Sequence, residues 1–143
     1  MYKRVQILVG DLWAAYNKSS TKTHPDGSVN IYYFDDLDKL TMFADYRVPQ
    51  ILRNMNILEY STELAGKIDS FTELYHGGHE EVEIRCCTII AVERLKSQCN
   101  SILSDQKHDR LLYSIELDWL LWNKGEEIKD TILPHHRTLT IYY

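Results

Sequence analysis

Cysteine is scarce and does not pair up in this sequence. The three residues Cys86, Cys87 and Cys99 form an odd set without framework spacing, which excludes a disulfide-stapled scaffold and leaves reduced core thiols as the expectation. Glycine and proline are equally sparse, at six and three residues, so collagen-like and low-complexity architectures are excluded. Positive charge is also lacking. A net charge of −5 and a pI near 5.6 give no basic footprint for a phosphate backbone, so duplex nucleic acid is a poor partner. No apolar run approaches a membrane span: the opening MYKRVQILVG is followed at once by Asp11. The expectation is no membrane association, a cytoplasmic or nuclear location, and an accidental glycosylation match at Asn17-Lys18-Ser19. Phosphate-binding glycine loops, dinucleotide fingerprints and nucleophile elbows are missing too. His76 and His79 are split by two glycines, and His135 and His136 are adjacent. Neither pair has zinc-ligand spacing, so no metal and no cofactor are expected.

What is present is a folding composition. Hydrophobic residues make up 44% and charged residues 26% of a 143-residue chain, enough for a single domain spanning 1–143 around one core. Val5, Leu8, Val9, Leu12, Trp13 and Tyr16 recur at helical spacing, predicting an amphipathic helix over 2–17. A polar loop rich in Ser, Thr, Asn, Pro and Gly follows, over 17–30. The stretch VNIYYF at 29–34 has β character, but is too short to commit to a sheet. Asp35 or Asp36 can cap a helical turn, and Pro49 fits the first turn of the next helix. Ser61 is the natural cap of a helix through STELAGKIDSF. The HGGH stretch punctuates before a longer helix over 80–98, and a last helix is predicted over 110–123. The tail TILPHHRTLTIYY lacks helical period and is expected to lie extended, held by its apolar positions. The fold class is mainly α.

Acidic residues on apolar faces are the candidates for chemistry. Leu111, Ile115, Asp118 and Trp122 share a helical face by spacing, so Asp118 is expected among apolar side chains. A carboxylate there either ties elements together or serves a ligand. Asp45 lies between Phe43 and Tyr46, just ahead of a helix start. It is either an ordinary capping aspartate or the acid of an aromatic-walled pocket. Glu83 and Arg85 flank Ile84 and read as internal ion-pair partners, and Glu93 lies on the apolar side of the same helix. A carboxylate pair beside aromatic rings suits glycosidic bond cleavage, where one group stabilises or attacks the oxocarbenium-like centre and another manages protons.

The blocks YKRVQILVGDLW, LTMFADYRVPQIL, LEYS, EVEIRCCTIIAVERL and HRTLTIYY, read in order, resemble the queuosine salvage protein family. The resemblance runs along the whole chain and corresponds to the C-terminal half of that family. It implies a helical domain similar to the helix-hairpin-helix DNA glycosylases, and an N-glycosidase that releases queuine from queuosine 5′-phosphate for salvage into tRNA modification. It makes Asp45 the catalytic residue, either nucleophile or oxocarbenium stabiliser, and puts Asp118 against the deazaguanine base. Phe43, Tyr46 and Trp122 become pocket walls, and Lys3 the partner of the 5′-phosphate. It further implies that pocket residues and core contributed by the family's other half are missing here. Two readings stand beside it: a non-catalytic helical interaction module, in which Asp45 and Asp118 only cap and pair, and a DNA glycosylase-like repair protein, against which the net charge speaks. Oligomeric state is left open.

Overall fold

Helices begin where side chains supply partners for the first backbone N–H groups, which a helix cannot satisfy itself. The computed structural model describes residues 3–16 and 21–141, so the glycosylation match at 17–19 lies outside the described residues. Its elements are α1 (Lys3–Ala15), a 3-10 turn (Leu37–Lys39), α2 (Arg47–Asn54), α3 (Thr62–Asp69), α4 (His79–Asp105) and α5 (Ser114–Ile128). The chain is mainly α. Among the described residues, β pairing is confined to two isolated bridges, Thr23 with Val29 and Glu73 with Arg137.

Ser61 Oγ accepts from the Leu64 N–H at 3.2 Å and caps α3 as its sequence suggests. Gly78 caps α4, so HGGH does punctuate there. Pro49 sits in the first turn of α2, where its missing N–H leaves nothing unpaired. The last helix is displaced from its predicted bounds. Asn100 on α4 holds both backbone groups of Leu112, accepting from its N–H at 2.8 Å and donating to its carbonyl at 3.0 Å. Glu116 then reaches back to the Tyr113 N–H at 3.2 Å, and α5 starts at Ser114. Leu111 consequently stays outside the helix, exposed, and does not share a face with Asp118.

Three apolar clusters connect these elements. Val48, Ile51 and Leu52 of α2, Ala91 and Val92 of α4, and Leu117 and Leu121 of α5 form the central one, closed by Met42 and Ala44 of the preceding segment. Trp13 of α1 packs with Leu37, Phe43 and Ile115 in the second, while Leu64, Ile68, Leu74 and Ile84 join α3 to α4 in the third. Helices come close where glycine allows it. A Cβ at Gly125 would stand 2.8 Å from Arg47 Cγ, and one at Gly10 would stand 3.2 Å from the Phe43 ring. Burying Ile51, Leu52, Val92 and Ile115 fully contributes about 2 kcal/mol each.

VNIYYF, left uncommitted in the sequence, takes part only in the isolated Thr23–Val29 bridge: buried Asn30 offers its side-chain oxygen to the Tyr32 N–H at 3.0 Å and turns the backbone there, leaving Val29 and Ile31 exposed. Two expectations are corrected. The cysteines are free, but Cys86 and Cys87 are exposed and Cys99 half-buried, because the inward face of α4 is taken by Ile84, Arg85, Thr88, Ala91 and Val92. Over its described residues the tail is extended as expected, but Leu133, Leu139 and Ile141 are exposed and do not hold it. Polar contacts anchor it instead. Gln50 Nε2 donates to the Leu133 carbonyl at 2.8 Å, Leu74 N–H to the Arg137 carbonyl at 2.8 Å, and Arg4 to the Ile141 carbonyl at 2.7 Å, while His136 is fully buried.

Candidate active site

Asp45 stands at the break before α2, where sequence placed it. Its Oδ1 accepts from the backbone N–H groups of Arg47 and Val48, each at 3.0 Å, so it caps the helix from one residue before the assigned boundary. The capping geometry holds one carboxylate oxygen in place, and the residue also lines a cleft. Asp118, buried on α5, accepts from the Phe43 N–H at 3.1 Å and so ties α5 to the same segment. Lys3, buried at the start of α1, completes the group.

These three line a cleft of about 190 Å³ together with Ile7, Phe43, Trp119 and Trp122. Two other hollows, about 470 and 140 Å³, lie around Leu58–Tyr60. Neither brings a carboxylate pair together with a buried cation, and the cleft at Asp45 and Asp118 does, which makes it the candidate site. Of the six residues singled out in the sequence, Lys3, Phe43, Asp45, Asp118 and Trp122 converge on it. Tyr46 does not. Its ring leans on His135 at 4.5 Å and lies under the Arg47 guanidinium, away from the cleft, because the first turn of α2 rotates it toward the tail. Phe43 is buried in the second cluster, while Trp122 is 40% exposed.

Ile7 and Trp119 were missed in the sequence. Ile7 is four residues beyond Lys3 on α1, and Trp119 four beyond Ile115 on α5, both signals that helical spacing offers. The other carboxylates considered lie elsewhere. Glu83 is exposed opposite His79 at 3.6 Å, and Glu93 is engaged by Ser114 and Lys96. Arg85 pairs with Glu81 at 2.8 Å rather than with Glu83, since Glu81 is one turn back on the same buried face. Among the described residues no cluster of three or more His, Cys, Asp or Glu could hold a metal, and no helix is long and apolar enough to cross a membrane.

The electrostatics of the cleft separate its two acids. Burial, reinforced by the nearby Asp45 charge, pushes the Asp118 carboxyl up to about 7. Burial also raises Asp45, against the pull of the Val48 N–H, the Lys3 charge and the Arg47 N–H. Lys3 is lowered by burial, with Asp45 and Asp118 working in the opposite direction and Arg85 in the same one. Both carboxyls are thus raised, and Asp118 carries the larger upward shift.

The family model described as queuosine salvage protein matches residues 1–143. The chain belongs to the queuosine salvage protein family. Among its relatives, proteins named queuosine 5′-phosphate N-glycosylase/hydrolase are 45% identical in Dictyostelium discoideum and 43% in Sphaerobacter thermophilus, each over 142 residues, covering 99% of this chain and 39% of those proteins. The Mus musculus protein of the same name is 38% identical over 145 residues, with 99% and 40% covered. This queuosine salvage family chain therefore spans about two-fifths of the length of the curated relatives it matches, less than the half that the resemblance implied.

Proposed function

We propose that the chain acts in hydrolysis of the N-glycosidic bond of queuosine 5′-phosphate, releasing queuine, with Asp45 as its catalytic carboxylate. The observation that carries this reading is the convergence of Asp45, Asp118 and Lys3 on one aromatic-lined cleft. Asp45, ionised, stabilises the oxocarbenium-like centre at C1′ or attacks it. Asp118, in its protonated form, donates to the departing deazaguanine, and water supplies the oxygen that ends on C1′, its released proton returning to the carboxylate pair. The products are queuine and ribose 5-phosphate. Lys3 answers the 5′-phosphate as a point charge, and Trp119 and Trp122 take the base faces. In this reading the helical frame is a relative of the helix-hairpin-helix glycosylases, turned to a single nucleotide instead of a flipped base. The site is cytoplasmic or nuclear, and its partner is a small nucleotide rather than duplex DNA or RNA.

The cleft volume of about 190 Å³ falls below the roughly 300–1,000 Å³ of most small-molecule pockets, so these residues make one wall of a nucleotide site. The test is release of queuine from queuosine 5′-phosphate by the purified chain, followed chromatographically beside Asp45→Asn. Asn at this position keeps a side-chain oxygen for the Arg47 and Val48 N–H groups, so the fold is expected to survive. Turnover is expected to fall on the order of 10²–10⁴-fold with ligand binding retained. No release from a folded wild-type chain would reject activity of this chain by itself.

A further inference from the structure

We propose that Arg85 is a positioning residue: its ion pair with Glu81 clamps the backbone immediately before Asp45 and sets where that carboxylate stands in the cleft. The inference rests on the reading of Asp45 given above. Arg85 Nε and Nη2 lie 2.9 and 2.8 Å from Glu81 Oε1, while Nη1 donates to the Ala44 carbonyl at 3.3 Å. Ala44 is wholly buried and its carbonyl belongs to the peptide unit that leads into Asp45. Glu81 is fixed in turn: its Oε2 accepts from the Gly77 N–H at 2.6 Å, with His76 Nδ1 at 3.5 Å. Gly77 has φ +72°, a conformation that favours glycine, so the HGGH turn is shaped to present that N–H. A chain of contacts thus runs from the start of α4 through a buried ion pair to the catalytic segment.

Stability is a poor explanation for burying such a pair, because well-packed apolar side chains of similar volume do as well or better. Geometry explains it. The planar guanidinium donates its Nε–H to one carboxylate oxygen, holds Nη2 in ion-pair contact with the same oxygen and still sends Nη1–H to a carbonyl, a spread that the single nitrogen of a lysine does not span. The clamp acts on backbone rather than on the carboxylate itself. Asp45 therefore keeps its charge for the reaction while its Cα is held against α4. A displacement of about 1 Å at a reacting group is sufficient to slow chemistry by about 100-fold.

Arg85→Lys keeps the charge and the Glu81 partner but loses the fork. The expected result is a single-turnover release rate, with enzyme in excess, slowed about 10- to 100-fold, and a half-saturating enzyme concentration nearly unchanged. A single-turnover rate constant does not fall when part of a sample is misfolded, so a merely structural loss would not produce this split. The Arg47 and Val48 amide resonances, whose N–H groups donate to Asp45, are expected to shift and exchange faster with solvent. Glu81→Gln approaches the same clamp from its other side, retaining an acceptor for Gly77, and is expected to act in the same direction. A folded variant with an unchanged rate constant and unmoved Arg47 and Val48 amides would overturn the proposal. Should the wild-type chain release no queuine, the catalytic reading fails, and the two amides alone decide whether Arg85 places Asp45.

Discussion

Replacing Asp118 by Asn is expected to stabilise the protein, by an amount that grows with pH. Asp118 is buried on α5, and burial together with the Asp45 charge raises its carboxyl from 3.8 to about 7. Below pH 3.8 both the folded and the unfolded chain hold the proton, and the site costs nothing. As pH rises past that value the unfolded chain releases its proton while the folded chain retains it, so stability declines until about pH 7 and is then level. The interval from 3.8 to about 7 corresponds to about 4 kcal/mol at about 1.36 kcal/mol per pH unit. Asn does not titrate, and its side-chain oxygen can still accept from the Phe43 N–H. The variant is therefore expected to gain up to about 4 kcal/mol over wild type at pH 8, or roughly 10 °C in Tm, and close to nothing at pH 4. Urea unfolding followed by tryptophan fluorescence across that range measures the difference directly. Titrating groups away from the cleft are common to both proteins and cancel, whereas Asp45 and Lys3 are coupled to Asp118 and enter the measured difference with it. A stability difference that does not change between pH 4 and 8, or that shrinks as pH rises, would refute a buried, proton-holding Asp118. The same substitution is expected to slow queuine release, the usual exchange of stability against a strained functional site.

Other outcomes follow from particular contacts. His136, buried and held down to about 4 chiefly by burial, should destabilise wild type by up to about 3 kcal/mol as pH falls from 6.5 toward 4, because the unfolded chain takes up a proton that the folded chain refuses. His136→Gln is expected to lose that slope in urea midpoints, whatever its stability at pH 7. Gly125→Ala should cost about 1–3 kcal/mol in the same assay, since the new methyl group meets Arg47 Cγ at 2.8 Å and Arg47 is tethered to Glu126 and Gln50. Ser61→Ala should cost about 1 kcal/mol through its lost cap on α3 and leave the catalytic rate unchanged, as Ser61 stands outside the cleft.

By itself the sequence determined the helical class, the start of most helices, and the place of Asp45 at the entrance to α2. These are local matters of spacing, caps and proline, and they need no partner from elsewhere in the chain. It also put Lys3, Phe43, Asp45, Asp118 and Trp122 on one short list through a family resemblance, without a physical means of bringing them together. Only tertiary structure decided which of these meet. The inward turn of α1 delivers Lys3, the Asp118–Phe43 bond ties α5 to the FAD segment, and the first turn of α2 carries Tyr46 away. The Glu81–Arg85 pair, four residues apart on one helix, follows a legible local spacing, but the anchoring of the tail by His136 and backbone carbonyls instead of by leucines was invisible along the chain. The reason is common to the contacts that tertiary structure decided. Buried polar groups take partners by distance in space, between residues far apart in sequence, and no local period encodes that distance.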